Sequence, residues 1–263
     1  AESSSSRRRY NLLRPASQQA SGLAGVDDDE RTGATHAGSN AMKGVAGMVA
    51  SNASLRVVSA AVVALLTFTL YDASLFSYHP VCMSLAYVLF MTEAVRTAIS
   101  FRGKLGGEER VRSISRHMYV NVAAVLLAIA GFVAIYKNKI RLGKQHFQSY
   151  HARIGLFVFV STLAVAAGGF LSFKKMGLIN FFAEKLHPTI KRGHRAAGVV
   201  TYFFAVLVVE LGLLTGAVTK HGMAFRLALQ VGTAVVAAIV AFRAFFDFGS
   251  SRAQGYTADL QVA

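Results

Sequence analysis

Six apolar runs govern what this chain can fold into. They fall at Ala53–Tyr71, Leu75–Ala98, His117–Tyr136, Tyr150–Phe173, His194–Thr215 and Met223–Phe246. Each approaches the ~20 residues that a helix needs to cross the hydrocarbon core of a bilayer. The expected fold class is therefore all-α, a six-helix transmembrane bundle. The first run is the weakest of the six, because Arg56 lies near its start and must snorkel to the interface. Composition agrees: 54% of residues are hydrophobic and only 16% are charged, against about a quarter charged in soluble domains.

The flanks divide the chain into three parts. Residues 1–52, with "SSSSRRR" and "DDDE", are too polar to bury a core and are expected to form a disordered cytoplasmic tail. Residues 53–248 form the membrane domain, and residues 249–263 a short cytoplasmic tail. No apolar stretch follows the basic start, so no signal peptide is expected. "YNLL" at Tyr10–Leu13 resembles a tyrosine-based endosomal sorting signal, with a plain disordered tail as the favoured alternative; the expected location is an endomembrane (ER, endosomal or vesicular).

Positive charge orients the bundle. The first tail carries Arg7, Arg8, Arg9, Arg14 and Lys43. The second-to-third loop carries Arg102, Lys104, Arg110, Arg112 and Arg116, and the fourth-to-fifth Lys174, Lys175, Lys185, Lys191 and Arg192. The first-to-second loop has no Lys or Arg, and the fifth-to-sixth has only Lys220. This pattern puts both termini in the cytoplasm. The third-to-fourth loop dissents, with Lys137, Lys139, Arg141 and Lys144 on the other side. The net charge of +15 is thus a topology signal and an attraction to anionic headgroups, and it does not imply nucleic acid. Asn52 opens "NAS", a glycosylation sequon expected to stay unmodified in the cytoplasm.

Four histidines stand at or just inside the starts of apolar runs: His79, His117, His151 and His194. Runs two and four start on one side of the membrane, three and five on the other. His79 and His151 therefore share one leaflet, and His117 and His194 the other. Ionisable residues inside a membrane are expensive and tend to mark function. A zinc site wants three or four protein ligands, and no Cys, Asp or Glu stands near to complete one. The single cysteine, Cys82, forms no internal disulfide, and no C-x-x-C-H attaches haem covalently. Haem brings four equatorial nitrogens and needs two axial ligands, so the pattern predicts one bis-histidine haem b per leaflet, gripped by the four core helices of runs two to five. Gly155 and Gly198 each follow a histidine by four residues and would leave room for a flat ring on the same helix face. Small-residue helix packing is the alternative for such glycines and accounts for Gly168 and Gly169. Arg153 and Arg195 suit haem propionates. His36, His187 and His221 are weaker candidates, and His146 lies at the membrane surface, where it could serve a substrate.

The stretches "SLFSYHPVCMSLAYVLFMTEA", "LGKQHFQSYHARIG" and "HRAAGVVTYF" resemble the cytochrome b561 family, in particular its small intracellular-membrane branch of cytochrome b561 domain-containing proteins. The resemblance covers runs one to six. It implies the same ligand pairs, His79 with His151 and His117 with His194. It implies transmembrane electron transfer from cytoplasmic ascorbate to monodehydroascorbate or a ferric chelate. The partners are then those molecules and membrane lipid, and the fold allows a homodimer. By resemblance, Arg112, Arg116 and Lys191 lie on the ascorbate side, and Lys144 with His146 on the acceptor side. "EAVRTAI" stands where plant members carry Ala-Leu-Leu-Val-Tyr-Arg. Glu210, deep in run five, is placed as in plant members; an interfacial carboxylate and a proton-handling group are both open readings.

Two rivals belong to other classes. One is a transporter whose histidines relay protons or bind a transition metal. The other is a haem-bearing, non-catalytic subunit of a larger membrane redox complex.

Overall fold

The computed structural model describes residues 52–101 and 107–261, by backbone alone from residue 245. The "YNLL" stretch, His36, Arg102 and Lys104 lie outside the described residues. Six long helices follow one another: α1 (Asn52–Leu70), α2 (Leu75–Ser100), α3 (Gly107–Arg141), α4 (Tyr150–Ser172), α5 (His187–Leu213) and α6 (Met223–Gln261). All six are long and apolar enough to cross a membrane, and no strand occurs among the described residues. The chain is a multi-pass membrane bundle.

Helix ends extend past the apolar runs where capping chemistry favours it. α3 begins ten residues before His117, with Glu108 and Glu109 in its first turn and Lys139 and Arg141 in its last. Both sets of charges oppose the helix dipole. α5 begins at His187, with Pro188 in the first turn, where the missing N–H costs nothing. α6 continues as backbone helix to Gln261. α2 starts on Ser74, whose Oγ accepts from the Ser77 N–H at 3.2 Å. Asp72 Oδ1 accepts in turn from the Ser74 N–H. These bonds, those of Ser74 first, hold the Asp72 carboxyl below the usual carboxylate range.

Two antiparallel hairpins, α2–α3 and α4–α5, pack closely within themselves and far less against each other. α1 and α6 pack together and close one side of the bundle, α1 against α2 and α6 against α5. The middle of α2, Leu85–Phe90, is a π-helical segment. There α2 meets α1, α3 and α5. Wide turns of this kind recur at functional sites. Ala86 and Tyr87 are buried on this segment, and Tyr87 Oη pairs with Thr162 Oγ1 of α4 at 3.2 Å. Large apolar side chains such as Phe68 (88% exposed) point outward, as a surface bathed in hydrocarbon requires.

Candidate functional site

Each of the four histidines meets the helix that runs antiparallel to its own. His79 Nδ1 lies 3.1 Å from the Gly131 carbonyl of α3, and His117 Nδ1 lies 2.8 Å from the Ala94 carbonyl of α2. His151 Nδ1 lies 3.0 Å from the Val208 carbonyl of α5. His194 faces α4, where the Val165 carbonyl interacts with it, but its buried Nδ1 makes no hydrogen bond. In a helix a carbonyl is already bonded once and has a second lone pair to offer. Donation from Nδ1–H to that lone pair fixes the tautomer and leaves Nε2 with the pair of electrons a metal needs.

The hairpins bring the rings together in two couples. His79 and His151 stand with ring centres 6.2 Å apart and planes at 80°. His117 and His194 stand 6.4 Å apart at 81°. Two metal–nitrogen bonds of ~2.1 Å, with about 1.1 Å from each nitrogen to its ring centre, span about 6.4 Å. Either couple is therefore spaced for one metal ion between imidazoles. Among the described residues, no three His, Cys, Asp or Glu side chains converge on a common point. The donor set at each couple is two imidazoles, which suits a metal whose other ligands come with it, as in haem. One local contact would have to give way: Asn121 Nδ2 lies 3.2 Å from His117 Nε2.

Glycines complete the couples, and they are different ones from those expected. A Cβ on Gly212 of α5 would stand 3.1 Å from His151 Cε1, and one on Gly169 of α4 would stand 3.1 Å from His194 Cε1. A Cβ on Gly155 would meet Val208 at 3.5 Å, and on Gly198 it would meet Val165 at 3.7 Å. Both are ordinary contacts across the α4–α5 seam. Gly155 and Gly198 thus face helix packing, while Gly168 and Gly169 face the His194 ring. The signal missed in the sequence was glycine near the far end of the antiparallel partner.

A charged cluster caps the His117–His194 end. Glu93 Oε1 accepts from Arg56 Nη2 at 2.7 Å, Arg96 Nη2 at 2.6 Å and Arg116 Nη2 at 3.1 Å. Its Oε2 accepts from Arg56 Nε at 3.2 Å and Arg96 Nε at 2.7 Å. Three guanidinium groups on one carboxylate tie α1, α2 and α3 together and leave a surplus of positive charge. Asn52 Oδ1 accepts from Arg96 at 3.2 Å and from Arg243 of α6. The sequon asparagine is thus part of this network. Arg116, an expected ascorbate-side cation, is partly committed to Glu93. Arg112 and Lys191 are exposed. Arg56, Glu93 and Arg96 escaped notice as site residues, although "EAVRTAI" had marked the place. Arg195 is also exposed and directs Nε to the Lys191 carbonyl at 3.2 Å.

The other end carries aromatic rings. His146 stacks on Tyr136 of α3, with centres 4.3 Å apart and planes at 23°. Tyr136 in turn neighbours Phe132, which stacks on Phe159 of α4 at 4.5 Å. Lys144 is exposed beside them. Arg153 donates Nε to the Phe147 carbonyl at 3.0 Å. Glu210 accepts from the Thr233 hydroxyl of α6. Away from both couples, His187 Nε2 lies 2.9 Å from the Phe182 carbonyl, and His221 meets the Phe225 ring edge-on.

The family model for eukaryotic cytochrome b561 matches residues 78–220, a span that includes all four histidines. The chain is 33% identical over 173 residues to the transmembrane reductase CYB561D2 of Bos taurus, covering 60% of this chain and 74% of the relative. It is 33% identical over 154 residues to its Mus musculus counterpart, covering 54% of this chain and 63% of the relative. It is also 25% identical over 158 residues to the transmembrane ascorbate-dependent reductase CYB561 of Ovis aries, covering 60% and 57%.

Proposed function

Because the chain belongs to the eukaryotic cytochrome b561 family, we propose that it is a transmembrane reductase that passes single electrons across a membrane through two b-type haems. His79 and His151 would hold one haem, and His117 and His194 the other. The observation that carries this reading is the pair of imidazole couples, 6.2 and 6.4 Å between ring centres. The haems, when bound, supply one-electron chemistry without a change of covalent bonds.

The chain's own residues supply the rest. Three backbone carbonyls hold imidazole Nδ1 atoms, which would leave each Nε2 available to a metal. The apolar helices exclude water from the space between the imidazoles. Arg153, in the first turn of α4, and Arg195, one residue beyond His194 in α5, would reach propionates with the guanidinium nitrogens not used on local carbonyls.

The Lys and Arg count assigns the Asn52 end to the cytoplasm. There the donor would be ascorbate, an anion, drawn by exposed Arg112 and Lys191 and by the positive surplus around Glu93. It gives up one electron and leaves as monodehydroascorbate. On the opposite side, Lys144 and His146 would meet the acceptor. A monodehydroascorbate or ferric chelate there gains one electron.

The purified chain should show a b-type absorption spectrum that ascorbate reduces. No haem spectrum would defeat the reading in favour of a transporter. A haem spectrum untouched by ascorbate would move the donor role to another molecule.

A further inference from the structure

A second site lies on the outer face of the α2–α3 hairpin, away from the imidazole couples. Its cavity, about 420 Å³, is lined by Leu75, Tyr78 and Cys82 of α2 and by Ala130, Val133, Ala134 and Lys137 of α3. The spacing explains the shape. Residues 130, 133, 134 and 137 form one helical stripe, and 75, 78 and 82 form another. The two alanines and Cys82 are too small to fill the seam between the stripes. The slot therefore runs along α3 for seven residues, about 10 Å at 1.5 Å per residue. Everything below its mouth is apolar. At the mouth stand the Lys137 amine and the Tyr78 hydroxyl, which bonds to the Tyr71 hydroxyl at 3.2 Å.

We propose that this slot binds one anionic phospholipid, with an acyl chain between the α2 and α3 stripes and the headgroup on Lys137 and Tyr78. Three observations converge. The slot lies parallel to a membrane-spanning helix, the direction in which acyl chains run. Its cation stands where the apolar run of α3 ends, at headgroup depth. It is an open groove on the lipid-facing surface, with Tyr78 and Val133 exposed, and its apolar walls would not hold a free phosphate. The four basic residues Lys137, Lys139, Arg141 and Lys144 break the charge pattern of the other loops. A lipid ligand gives the first of them a use. The slot backs onto the α2 turn that carries His79, and a Cβ on Gly131 would stand 3.1 Å from Cys82 Cβ. The site thus adjoins a ligand-bearing helix without touching the imidazole.

Cys82 is the chain's single cysteine and reports on the slot without engineering. The full chain is placed in phosphatidylcholine nanodiscs with or without phosphatidylserine, and alkylation of Cys82 by N-ethylmaleimide is timed. Phosphatidylserine should slow it about fivefold, the worth of one lysine at an anionic surface. Lys137→Gln should abolish that difference while leaving the absorption spectrum unchanged. Native mass spectrometry should find a retained phosphatidylserine on the parent chain and none on Ala134→Leu, which fills the slot. Equal alkylation in both bilayers would mean ordinary annular lipid and would overturn the proposal. So would a phosphatidylserine effect that survives Lys137→Gln, or a Cys82 that never reacts in a chain that retains no lipid.

Discussion

At the end of the bundle away from Asn52, both imidazoles are tethered: His79 to the Gly131 carbonyl and His151 to the Val208 carbonyl. At the Asn52 end His117 is held by the Ala94 carbonyl at 2.8 Å, while His194 has only a looser contact with the Val165 carbonyl, without a hydrogen bond of normal geometry. The couples are otherwise near copies, 6.2 against 6.4 Å and 80° against 81°. The difference teaches that spacing and electronics are set separately. Spacing comes from the hairpin register. Ligand basicity comes from what each Nδ1 touches. The surroundings differ as well, since the Asn52 end carries three arginines on Glu93 and the other end carries stacked rings and exposed Lys144.

The largest effects should come from removing a ring. His79→Ala or His151→Ala should abolish one spectral component, and His117→Ala or His194→Ala the other. Low-temperature absorption spectra of the four variants check this. If His79→Ala and His117→Ala erased the same component, the comparison between ends would collapse.

Next in size is Glu93→Ala, which strips the shared carboxylate from three arginines, one of them, Arg96, only 7% exposed. Breaking a buried ion pair from one side costs about 3 kcal/mol or more. Thermal unfolding in detergent should register that loss. The component lost with His117→Ala should broaden, because Ala94 adjoins Glu93, and the one lost with His79→Ala should not.

Glycine variants sharpen the comparison further. Overpacking costs about 1–3 kcal/mol, and Gly212→Ala and Gly169→Ala each push a methyl to 3.1 Å from an imidazole carbon. His151 is tied by its Nδ1 and has nowhere to move. His194 is held less firmly, by its looser contact with the Val165 carbonyl. Gly212→Ala should therefore lower haem occupancy and stability more than Gly169→Ala, while Gly155→Ala should be tolerated. Equal losses at both glycines would show that the Nδ1 tether does not restrain the ring.

These particulars mark how much the sequence disclosed. The six helices were legible because membrane length leaves few alternatives, and the four histidines because an imidazole in hydrocarbon demands a reason. Their pairing followed from which runs start on the same side. Gly212 and Gly169 were not legible, because their relation to His151 and His194 depends on the register of two antiparallel helices. The four-residue rule that singled out Gly155 and Gly198 sees only one helix. The Glu93 cluster was hidden likewise: its arginines stand on three helices and look in sequence like separate topology signals. The π segment of α2 left no mark in the apolar pattern.

A smaller effect should appear in equilibrium redox titration. A histidine that donates Nδ1–H to a carbonyl is a more basic ligand and favours the oxidised metal. Surplus positive charge favours the reduced one. Both differences point the same way, so the component lost with His117→Ala should titrate at the higher potential. Reversed order would mean that burial outweighs the tether and the arginines together.

The smallest effects should come from the exposed cations, and they separate the ends by function. Arg112→Gln with Lys191→Gln should slow reduction by ascorbate by under about fivefold, since exposed charges act weakly and are screened. Raising the salt concentration should shrink the difference between parent and variant, because attraction beyond a Debye length is lost. Lys144→Gln should leave that step alone and slow only the discharge of the reduced protein to a ferric chelate. Stopped-flow absorbance follows both steps in one preparation of vesicles, with ascorbate added outside and chelate held within. If Lys144→Gln slowed reduction by ascorbate and the Arg112, Lys191 variant slowed discharge, the imidazole couples would stand. The donor and acceptor ends would then exchange places, and with them the orientation read from the basic loops.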